Sequence, residues 1–264
     1  MASLLVVGFP GVPANPSDRG GLGLPGGGAT MKTSEALFDT QAKFWRLRRS
    51  DLLDTLSDAD VKELGALCHI RIIERGAPVY GSGQASDTVY YVESGTIKLC
   101  RVAEDQREVN VGVVGPGELF GELAMADEAF RSDAAVVLED AVVCGFDSRE
   151  FEKFLHGHPR LALRVTKLIG ERLSDVESRI QDILFKDVRT RLAHTMAHLA
   201  VKFGEDVPRG RRIALRLTQS DLAQLIGSTR ETTSTAFNEF RRDGRVETDG
   251  QFIVVRDPES LAAY

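Results

Sequence analysis

The stretch LTQSDLAQLIGSTRETTSTAFNEF, residues 217–240, has the pattern of two short amphipathic helices that meet at a glycine. Thr218 stands at an N-cap position with Asp221 three residues further on, and Gly227 suits the sharp turn between the helices. Apolar residues recur at helical spacing in each half, so each helix has one stripe to bury. The stripes are Leu222, Leu225 and Ile226, then Thr233, Ala236, Phe237 and Phe240. This pattern predicts a helix-turn-helix.

The second helix begins at STRET, where Ser228 or Thr229 is the expected N-cap. If its apolar stripe faces a core, a set of polar side chains faces outwards. This set is Arg230, Glu231, Ser234, Thr235 and Asn238. A helix-turn-helix places such side chains against base edges in the major groove of DNA. A solvated face on an ordinary pair of amphipathic helices explains this segment equally well.

The segment RRDGRVETDGQFIVV, which follows directly, favours the DNA-binding interpretation over a solvated helix pair. Asp-Gly turn signals at 243–244 and 249–250 flank one short strand, and FIVV has the composition of a second. A helix pair followed by a β-hairpin is a winged helix. Arg241, Arg242 and Arg245 would then lie near the wing, where a phosphate backbone passes.

Composition limits the remaining choices. A chain of 264 residues with 42% hydrophobic content is large enough for two packed domains. The net charge of −6 excludes a uniformly basic nucleic-acid binder but not a local basic face. Residues 186–264 hold 13 basic and 11 acidic residues, whereas the rest of the chain holds 20 and 28. The positive balance therefore lies on the segment with the predicted helix-turn-helix.

Cysteine use and the absence of other motifs point to a cytoplasmic protein. Cys68, Cys100 and Cys144 are far apart and odd in number, which fits buried thiols in a reducing compartment better than disulfides. No apolar run approaches the roughly 20 residues of a membrane span. No Walker A, HExxH or nucleophile-elbow motif is present, so we do not expect an enzyme.

The region before the helix-turn-helix divides into three parts. Residues 1–33 are dense in glycine and proline and predict a disordered tail, with Met31 as an alternative start. Residues 36–157 alternate short strand-forming runs with glycine turns, which favours a jelly-roll-like β-roll. We expect strands at 70–73, 78–80, 88–92, 96–102, 108–114 and 134–146.

Within this region, the run GELFGELAMADEAFRSDAAVVLED has residues suited to a phosphate and a sugar. Backbone N–H groups near Gly121 could cradle an anion, and Glu122 could accept hydrogen bonds from a ribose hydroxyl. Arg131 could pair with a phosphate oxygen to which Ser132 donates a hydrogen bond. A surface loop with a Glu122–Arg131 ion pair is the alternative.

Residues 158–185 predict one long helix with a heptad seam, expected of a coiled-coil dimer. The seam is Ala162, Thr166, Ile169, Leu173, Val176, Ile180 and Ile183. Charged residues at its edges include Glu171, Arg172, Glu177 and Arg179. The alternative is a helix packed on its own β-roll. The winged helix then occupies residues 186–264.

A β-roll, a long helix and a winged helix with RET at the start of the recognition helix resemble the CRP/FNR family of bacterial transcription regulators, over about residues 36–257. The implied fold is α+β: a cyclic-nucleotide-binding β-roll, a dimerisation helix and a C-terminal winged helix-turn-helix. The resemblance implies a homodimer that binds double-stranded DNA at a palindromic operator. It also implies RNA polymerase as a partner, through the loop around Glu104 to Arg107 or surfaces on either domain.

Residue roles carry over from the family's motifs. The GEL and RS cassette implies a cyclic-nucleotide pocket that includes Gly121, Glu122, Leu123, Arg131 and Ser132. Base reading is implied for Arg230 and Glu231. Contacts to the DNA backbone are implied for Thr218, Gln219, Ser220, Thr229 and Thr232.

The sequence also departs from the cyclic-AMP receptor. Thr235 replaces an arginine that reads a base, and threonine cannot contact guanine bidentately. Val176 and Glu177 replace the Thr-Ser pair that holds adenine, and Asp133 adds a charge beside the phosphate cassette. The effector is therefore cyclic AMP, another nucleotide, a different molecule or none. An architectural DNA binder with a vestigial pocket and a regulatory module of another protein are the alternatives.

Overall fold

The computed structural model describes residues 51–102, 108–126 and 128–264. The predicted tail, residues 1–33, and the loop from Glu104 to Arg107 lie outside these residues. Over the described ranges, no helix combines the length and the apolar character needed to cross a bilayer.

Antiparallel strands form the first domain. Their bounds are β1 His69–Ile73, β2 Pro78–Tyr80, β3 Thr88–Val102, β4 Glu108–Val114, β5 Leu119–Phe120 and β6 Ala134–Asp147. The sheet order is β1-β6-β3-β4, with β2 paired to β6 and β5 paired to β3. The sequence predicted β1, β2, β4 and β6 to within one residue at either end, and it missed the two-residue β5.

The prediction of two separate strands at 88–92 and 96–102 is wrong, because these residues form the single strand β3. Ser94-Gly95 does not make a turn. The register between β3 and β6 shifts on both sides of Ser94, so the pair carries β-bulges and stays hydrogen-bonded. Gly95 adopts a φ of +82°, and a Cβ there would lie 2.5 Å from the Asp140 carbonyl oxygen. Glycine therefore marks a bulge at this point and not a chain reversal.

The β3 strand contributes to two hydrophobic clusters because alternate residues point to opposite faces. Val89 and Tyr91 pack in a cluster with the helices, whereas Tyr90 and Val92 pack inside the roll. Cys68, Cys100 and Cys144 are buried and form no disulfide bond, which confirms the prediction of buried thiols.

In the described residues, three helices flank the roll. They are α1 Asp58–Leu67, α2 Ser148–Gly157 and α3 Pro159–Phe185, and a 3₁₀ turn spans Glu122–Met125. The α3 helix begins with proline in its first turn and runs for 27 residues. Its first part packs on the roll through the buried Leu161 and Val165, and further along the helix Arg172 and Arg179 donate to carbonyl groups of the roll. The alternative of a helix packed on its own roll thus holds for the start of α3.

The second domain contains helices and a small sheet. Its elements are α4 Val188–Phe203, β7 Gly204–Val207, β8 Gly210–Ile213, α5 Gln219–Ile226, α6 Arg230–Arg242, β9 Val246–Asp249, β10 Phe252–Val255 and α7 Pro258–Ala262. The predicted wing hairpin, β9 and β10, is confirmed. It belongs to a four-stranded sheet of order β7-β8-β10-β9, and the sequence reading missed the β7–β8 hairpin.

The two domains share apolar and charged contacts. Val113 and Leu138 of the roll belong to the hydrophobic cluster of the second domain. The Lys98 ammonium, on β3, lies 3.9 Å from the Asp221 carboxylate and 3.4 Å from the Gln224 amide oxygen, both on α5. The start of the helix-turn-helix is therefore held against the roll by a largely buried lysine.

Candidate functional site

Reciprocal hydrogen bonds fix the start of the helix-turn-helix. The Thr218 hydroxyl accepts from the Asp221 N–H at 3.1 Å, and the Asp221 carboxylate accepts from the Thr218 N–H at 2.8 Å. This capping box satisfies two donors that α5 would otherwise leave free. Gly227 ends α5 with a φ of 62°, in the left-handed region. The predicted cap and turn are both confirmed.

The second helix, α6, starts after Thr229, whose hydroxyl accepts from the Thr232 N–H at 3.2 Å. Of the two N-caps that the sequence left open, the structure has Thr229 and not Ser228. Both predicted apolar stripes are buried: Leu222, Leu225, Ile226, Thr233, Ala236, Phe237 and Phe240. The stripes hold the pair of helices on one core and leave the opposite face of α6 to solvent.

The start of α6 exposes the residues predicted to read bases. Arg230, Glu231 and Thr235 are exposed, whereas Ser234 and Asn238 are half-buried. The Thr235 hydroxyl donates to the Glu231 carbonyl at 3.1 Å. Its oxygen lone pairs and methyl group therefore remain for an external partner.

The residues predicted to contact the DNA backbone lie at the starts of α5 and α6. Thr218, Ser220, Thr229 and Thr232 are exposed, and Gln219 is half-buried. Helix N-termini favour anions because their free N–H groups and the helix dipole point outwards. These positions suit phosphate groups.

An arginine that the sequence analysis did not single out supports α6 from behind. Arg189, at the start of α4, pairs with Glu239 at 3.3 Å and with Asp243 at 3.0 Å. Its guanidinium also lies 5.2 Å from the centre of the Phe240 ring. Arg189 thus links α4 to the second half of α6. An isolated arginine carries no signal in sequence, since its partners are about 50 residues away.

Arginines surround the wing. Arg241 and Arg242, expected in a turn near the wing, are exposed in the last turn of α6, just before it. Arg245 is half-buried, and its guanidinium lies 5.1 Å from the centre of the Tyr264 ring. Arg216 is exposed, with its guanidinium 5.8 Å from the Phe252 ring centre. Aromatic rings therefore position part of the positive charge beside the recognition helix.

In the roll, Arg131 is almost fully buried, with 3% of its surface exposed. It donates to the Gly121 carbonyl at 3.0 Å and, through its other terminal nitrogen, to the Thr88 carbonyl. Its guanidinium carbon lies 4.4 Å from the centre of the Tyr80 ring. The phosphate-binding candidate is therefore held inside the roll by neutral oxygens and an aromatic face.

Glu122 does not pair with Arg131, so the alternative of a surface Glu122–Arg131 ion pair is wrong. Its carboxylate accepts twice from one Arg172 nitrogen, at 2.9 and 3.1 Å, and the other terminal nitrogen donates to the Leu119 carbonyl. The sequence placed Arg172 at the edge of a dimer seam. Its long side chain instead reaches back to the cassette and joins α3 to the pocket.

The remaining cassette residues are Gly121, Ser132 and Leu123. Gly121 has a φ of +70°, and a Cβ there would lie 2.8 Å from an Arg131 nitrogen, so the close approach requires glycine. The Ser132 hydroxyl accepts from Arg101 at 2.9 Å. Leu123 is 44% exposed. Gly121 and Arg131 are in direct contact, whereas Ser132 is turned towards Arg101.

Asp133, the departure noted in the cassette, lies beside Tyr80. The Tyr80 hydroxyl donates to the Asp133 carboxylate at 3.4 Å. Burial raises the pKa of Asp133 above its usual range, although the Tyr80 hydroxyl and the Arg131 charge act in the opposite direction. Burial also raises the pKa of Tyr80, so the phenol remains a neutral donor.

On α3, most of the seam is open to solvent. Ile169, Leu173, Ile180 and Ile183 are between 41% and 58% exposed. Val176 is half-buried and lines a small cavity of about 20 Å³ together with Arg172 and Arg179. Aliphatic side chains this large are costly to leave in water, so the seam is a surface suited to a partner.

Two histidines four residues apart on α4 contact carboxylates of α3. His194 Nδ1 lies 3.1 Å from Asp182, and His198 Nε2 lies 3.7 Å from Asp175. Within the described ranges, no group of three or more histidine, cysteine or acidic residues is placed to hold a metal ion. The pair links α3 to α4.

Comparison with known sequence families identifies both domains. The cyclic nucleotide-binding domain matches residues 70–158, and the Crp-like helix-turn-helix domain matches residues 190–264. The CRP-like cAMP-activated global transcriptional regulator of Mycobacterium tuberculosis is 30% identical over 188 residues, which is 71% of this chain and 84% of that protein. The cyclic AMP receptor protein of Thermus thermophilus is 26% identical over 81% of this chain and 96% of its own length.

Solved structures show the same fold. The regulator CLP of Xanthomonas campestris superposes with a TM-score of 0.66 at 22% identity, over 76% of this chain and all of that one. FixK2 of Bradyrhizobium japonicum also gives 0.66, at 20% identity, over 74% of this chain and 96% of that one. The chain belongs to the CRP/FNR family, as a transcription regulator with a cyclic nucleotide-binding domain and a DNA-binding helix-turn-helix.

Proposed function

We propose that this chain is a homodimeric, cytoplasmic regulator that binds a palindromic DNA operator and is switched by a small ligand in the β-roll. The observation that carries the proposal is the exposed, hydrogen-bonding start of α6 on a firmly capped helix-turn-helix. The proposed division is a β-roll at residues 36–157, a dimerisation helix at 158–185 and a winged helix-turn-helix at 186–264.

The proposed base contacts follow from side-chain chemistry. Arg230 suits a guanine, because a guanidinium can donate to both O6 and N7. Glu231 suits a cytosine amino group, which needs an acceptor. Thr235 offers a methyl group and a hydroxyl oxygen, so its base pair is read less strictly. The five residues that begin α5 and α6 contact phosphates and fix the register.

The exposed seam of α3 supports a parallel two-fold dimer. Such a dimer presents two copies of α6 to half-sites about one helical turn apart, roughly 34–36 Å. A regulator bound there acts on transcription through RNA polymerase, the remaining proposed partner. The arrangement makes DNA affinity depend on how α3 orients the two winged helices.

For the ligand, the pocket of Gly121, Glu122, Leu123, Arg131 and Ser132 is the proposed site, with Val176 at the α3 side. The relatives named as cAMP-activated support a cyclic nucleotide as its class. Arg172 joins Glu122 to α3, so a ligand that moves Glu122 also acts on the dimer helix. The ligand shifts the equilibrium only by its different affinity for the two arrangements.

A specific observation favours a second candidate, an effector-independent regulator. Arg131 and Glu122 already have protein partners: two carbonyl groups for the first and Arg172 for the second. A pocket whose terminal guanidinium nitrogens and carboxylate already have partners within the protein can serve as a scaffold. The two candidates differ in whether any nucleotide changes DNA affinity.

Operator selection tests the proposal. The purified chain is incubated with a pool of random duplexes, with and without cyclic AMP, and the bound DNA is sequenced. A palindrome with half-sites one helical turn apart is the expected result. Enrichment only with cyclic AMP supports the ligand switch, and equal enrichment supports the effector-independent candidate. A pool that stays random in both arms would refute sequence-specific binding.

A further inference from the structure

Arg131 is a buried cation without an ion-pair partner in the described part of the chain. Both of its terminal nitrogens donate to neutral carbonyl oxygens, and its Nε has no hydrogen-bond partner there. Burying a charge without a counter-ion is costly, so such a group favours an anion nearby. The question is which anion takes that place.

The protein itself supplies a carboxylate, Asp133, on the other side of Tyr80. Tyr80 bridges the two groups, since its ring lies 4.4 Å below the Arg131 guanidinium and its hydroxyl donates to the Asp133 carboxylate. Four groups act on the charge of Asp133: Tyr80 on β2, Arg131 beside it, Arg101 on β3 and Glu122 in the 3₁₀ turn. Arg101 is exposed and screened by water, whereas Glu122 is paired with Arg172.

We propose that Asp133 is the internal counter-anion of Arg131 and sets the charge selectivity of the β-roll pocket, against ligands that carry a phosphodiester. The inference rests on the proposed function, in which Arg131 is the anion site of that pocket. Tyr80 is the positioning residue that holds the Asp133 carboxylate near the guanidinium.

The charge balance gives the physical reason. With Glu122 and Arg172 neutralising each other, Arg131 and Asp133 leave the floor of the pocket without net charge. A phosphodiester at Arg131 adds one negative charge close to the Asp133 carboxylate, in a region where water screens poorly. Without the Asp133 charge, the floor carries one positive charge, which matches one phosphodiester.

The test is the affinity of cyclic AMP for the full chain, measured by isothermal titration calorimetry at pH 8. Asp133→Asn removes the charge and keeps the shape, and we expect it to bind at least about tenfold tighter than the wild type, the factor that 1.4 kcal/mol gives. Asp133→Glu keeps the charge and should bind as weakly as the wild type. Equal affinities for the wild type and Asp133→Asn, or no binding by either, would overturn the proposal.

A pH series separates charge from shape. Because burial raises the pKa of Asp133, the wild-type carboxylate protonates at a higher pH than an exposed aspartate does, and cyclic AMP binding should tighten as the pH is lowered from 8 into that range. The affinity of Asp133→Asn should stay constant over this range. A wild-type affinity independent of pH, or the same slope in both proteins, would contradict the charge assignment.

A double variant distinguishes this inference from the function on which it rests. Arg131→Ala combined with Asp133→Asn should lose the gain in cyclic AMP affinity. If the double variant keeps the gain, Arg131 is not the anion site and the pocket assignment itself fails. Operator selection by the wild type, with and without cyclic AMP, tests the DNA-binding part of the proposed function separately.

Discussion

At the scale of single residues, two glycines end or enter their elements with positive φ. Gly227 closes α5 at a φ of 62°, and Gly121 opens the 3₁₀ turn at +70°. The second also accepts a hydrogen bond from Arg131. The GEL motif therefore determines backbone conformation as well as side-chain chemistry, because its glycine lets a buried arginine approach the backbone.

Gly121→Ala tests this close approach. A Cβ there would lie 2.8 Å from Arg131, so the variant should be destabilised by about 1–3 kcal/mol, measured as the shift in the urea midpoint of the β-roll. Gly117→Ala is the matched control: its φ is also positive, +89°, but a Cβ there meets nothing within 4 Å. Equal losses in the two variants would show that backbone strain alone, and not contact with Arg131, makes Gly121 necessary.

At the scale of elements, local patterns determined what the sequence could predict. The caps, stripes and turn of α5 and α6 follow from residues within four positions of one another, and all are confirmed. The prediction of a turn at Ser94-Gly95 was wrong because a glycine is typical of both a β-bulge and a turn. The pairing of β3 with β6 determines which of the two forms.

The site shows the same limit. The cassette was predicted from its own short sequence motif, but the ion pair between Glu122 and Arg172 was not. Arg172 lies 50 residues from Glu122 in sequence, and its heptad position suggested a dimer edge. Tyr80 lies 53 residues before Asp133. Such partners depend on how α3 and β2 pack on the roll, which no short motif specifies.

The seam of α3 gives a prediction for the proposed dimer. Leu173→Asp places a charge in the centre of the exposed stripe and should convert a dimer to monomers in analytical ultracentrifugation, because a buried unpaired carboxylate is costly. Leu163→Asp is the control, since Leu163 is 71% exposed on the same helix but lies about 100° from the stripe. Two variants that sediment alike would place the interface elsewhere.

At the scale of the whole molecule, the roll and the helix-turn-helix meet at α5. Lys98 contacts Asp221, the residue whose carboxylate also completes the capping box of α5. Only 8% of Lys98 is exposed, so its charge is poorly screened. Through this contact, the roll restrains α5, the first helix of the helix-turn-helix, directly.

Lys98→Met tests whether Lys98 restrains α5. The variant removes the charge and keeps a long apolar side chain, so α5 should lose part of its restraint and exchange its amide hydrogens faster, by about five- to thirtyfold for 1–2 kcal/mol. The measurement is hydrogen exchange by mass spectrometry on the α5 peptide. Lys62→Met, on the exposed surface of α1, serves as the control and should leave α5 unchanged. Unaltered exchange in Lys98→Met would mean that apolar packing alone joins the domains.

The proposed function depends on α6 reading the DNA sequence, and fluorescence anisotropy with a labelled palindromic operator measures this property. Affinities of the wild type and Arg230→Ala are measured at one stated salt concentration, for the operator and for a scrambled duplex. We expect Arg230→Ala to lose about 1–3 kcal/mol on the operator and almost nothing on the scrambled duplex, because a lost base contact reduces specificity alone. Equal losses on both duplexes, or none on either, would contradict the account.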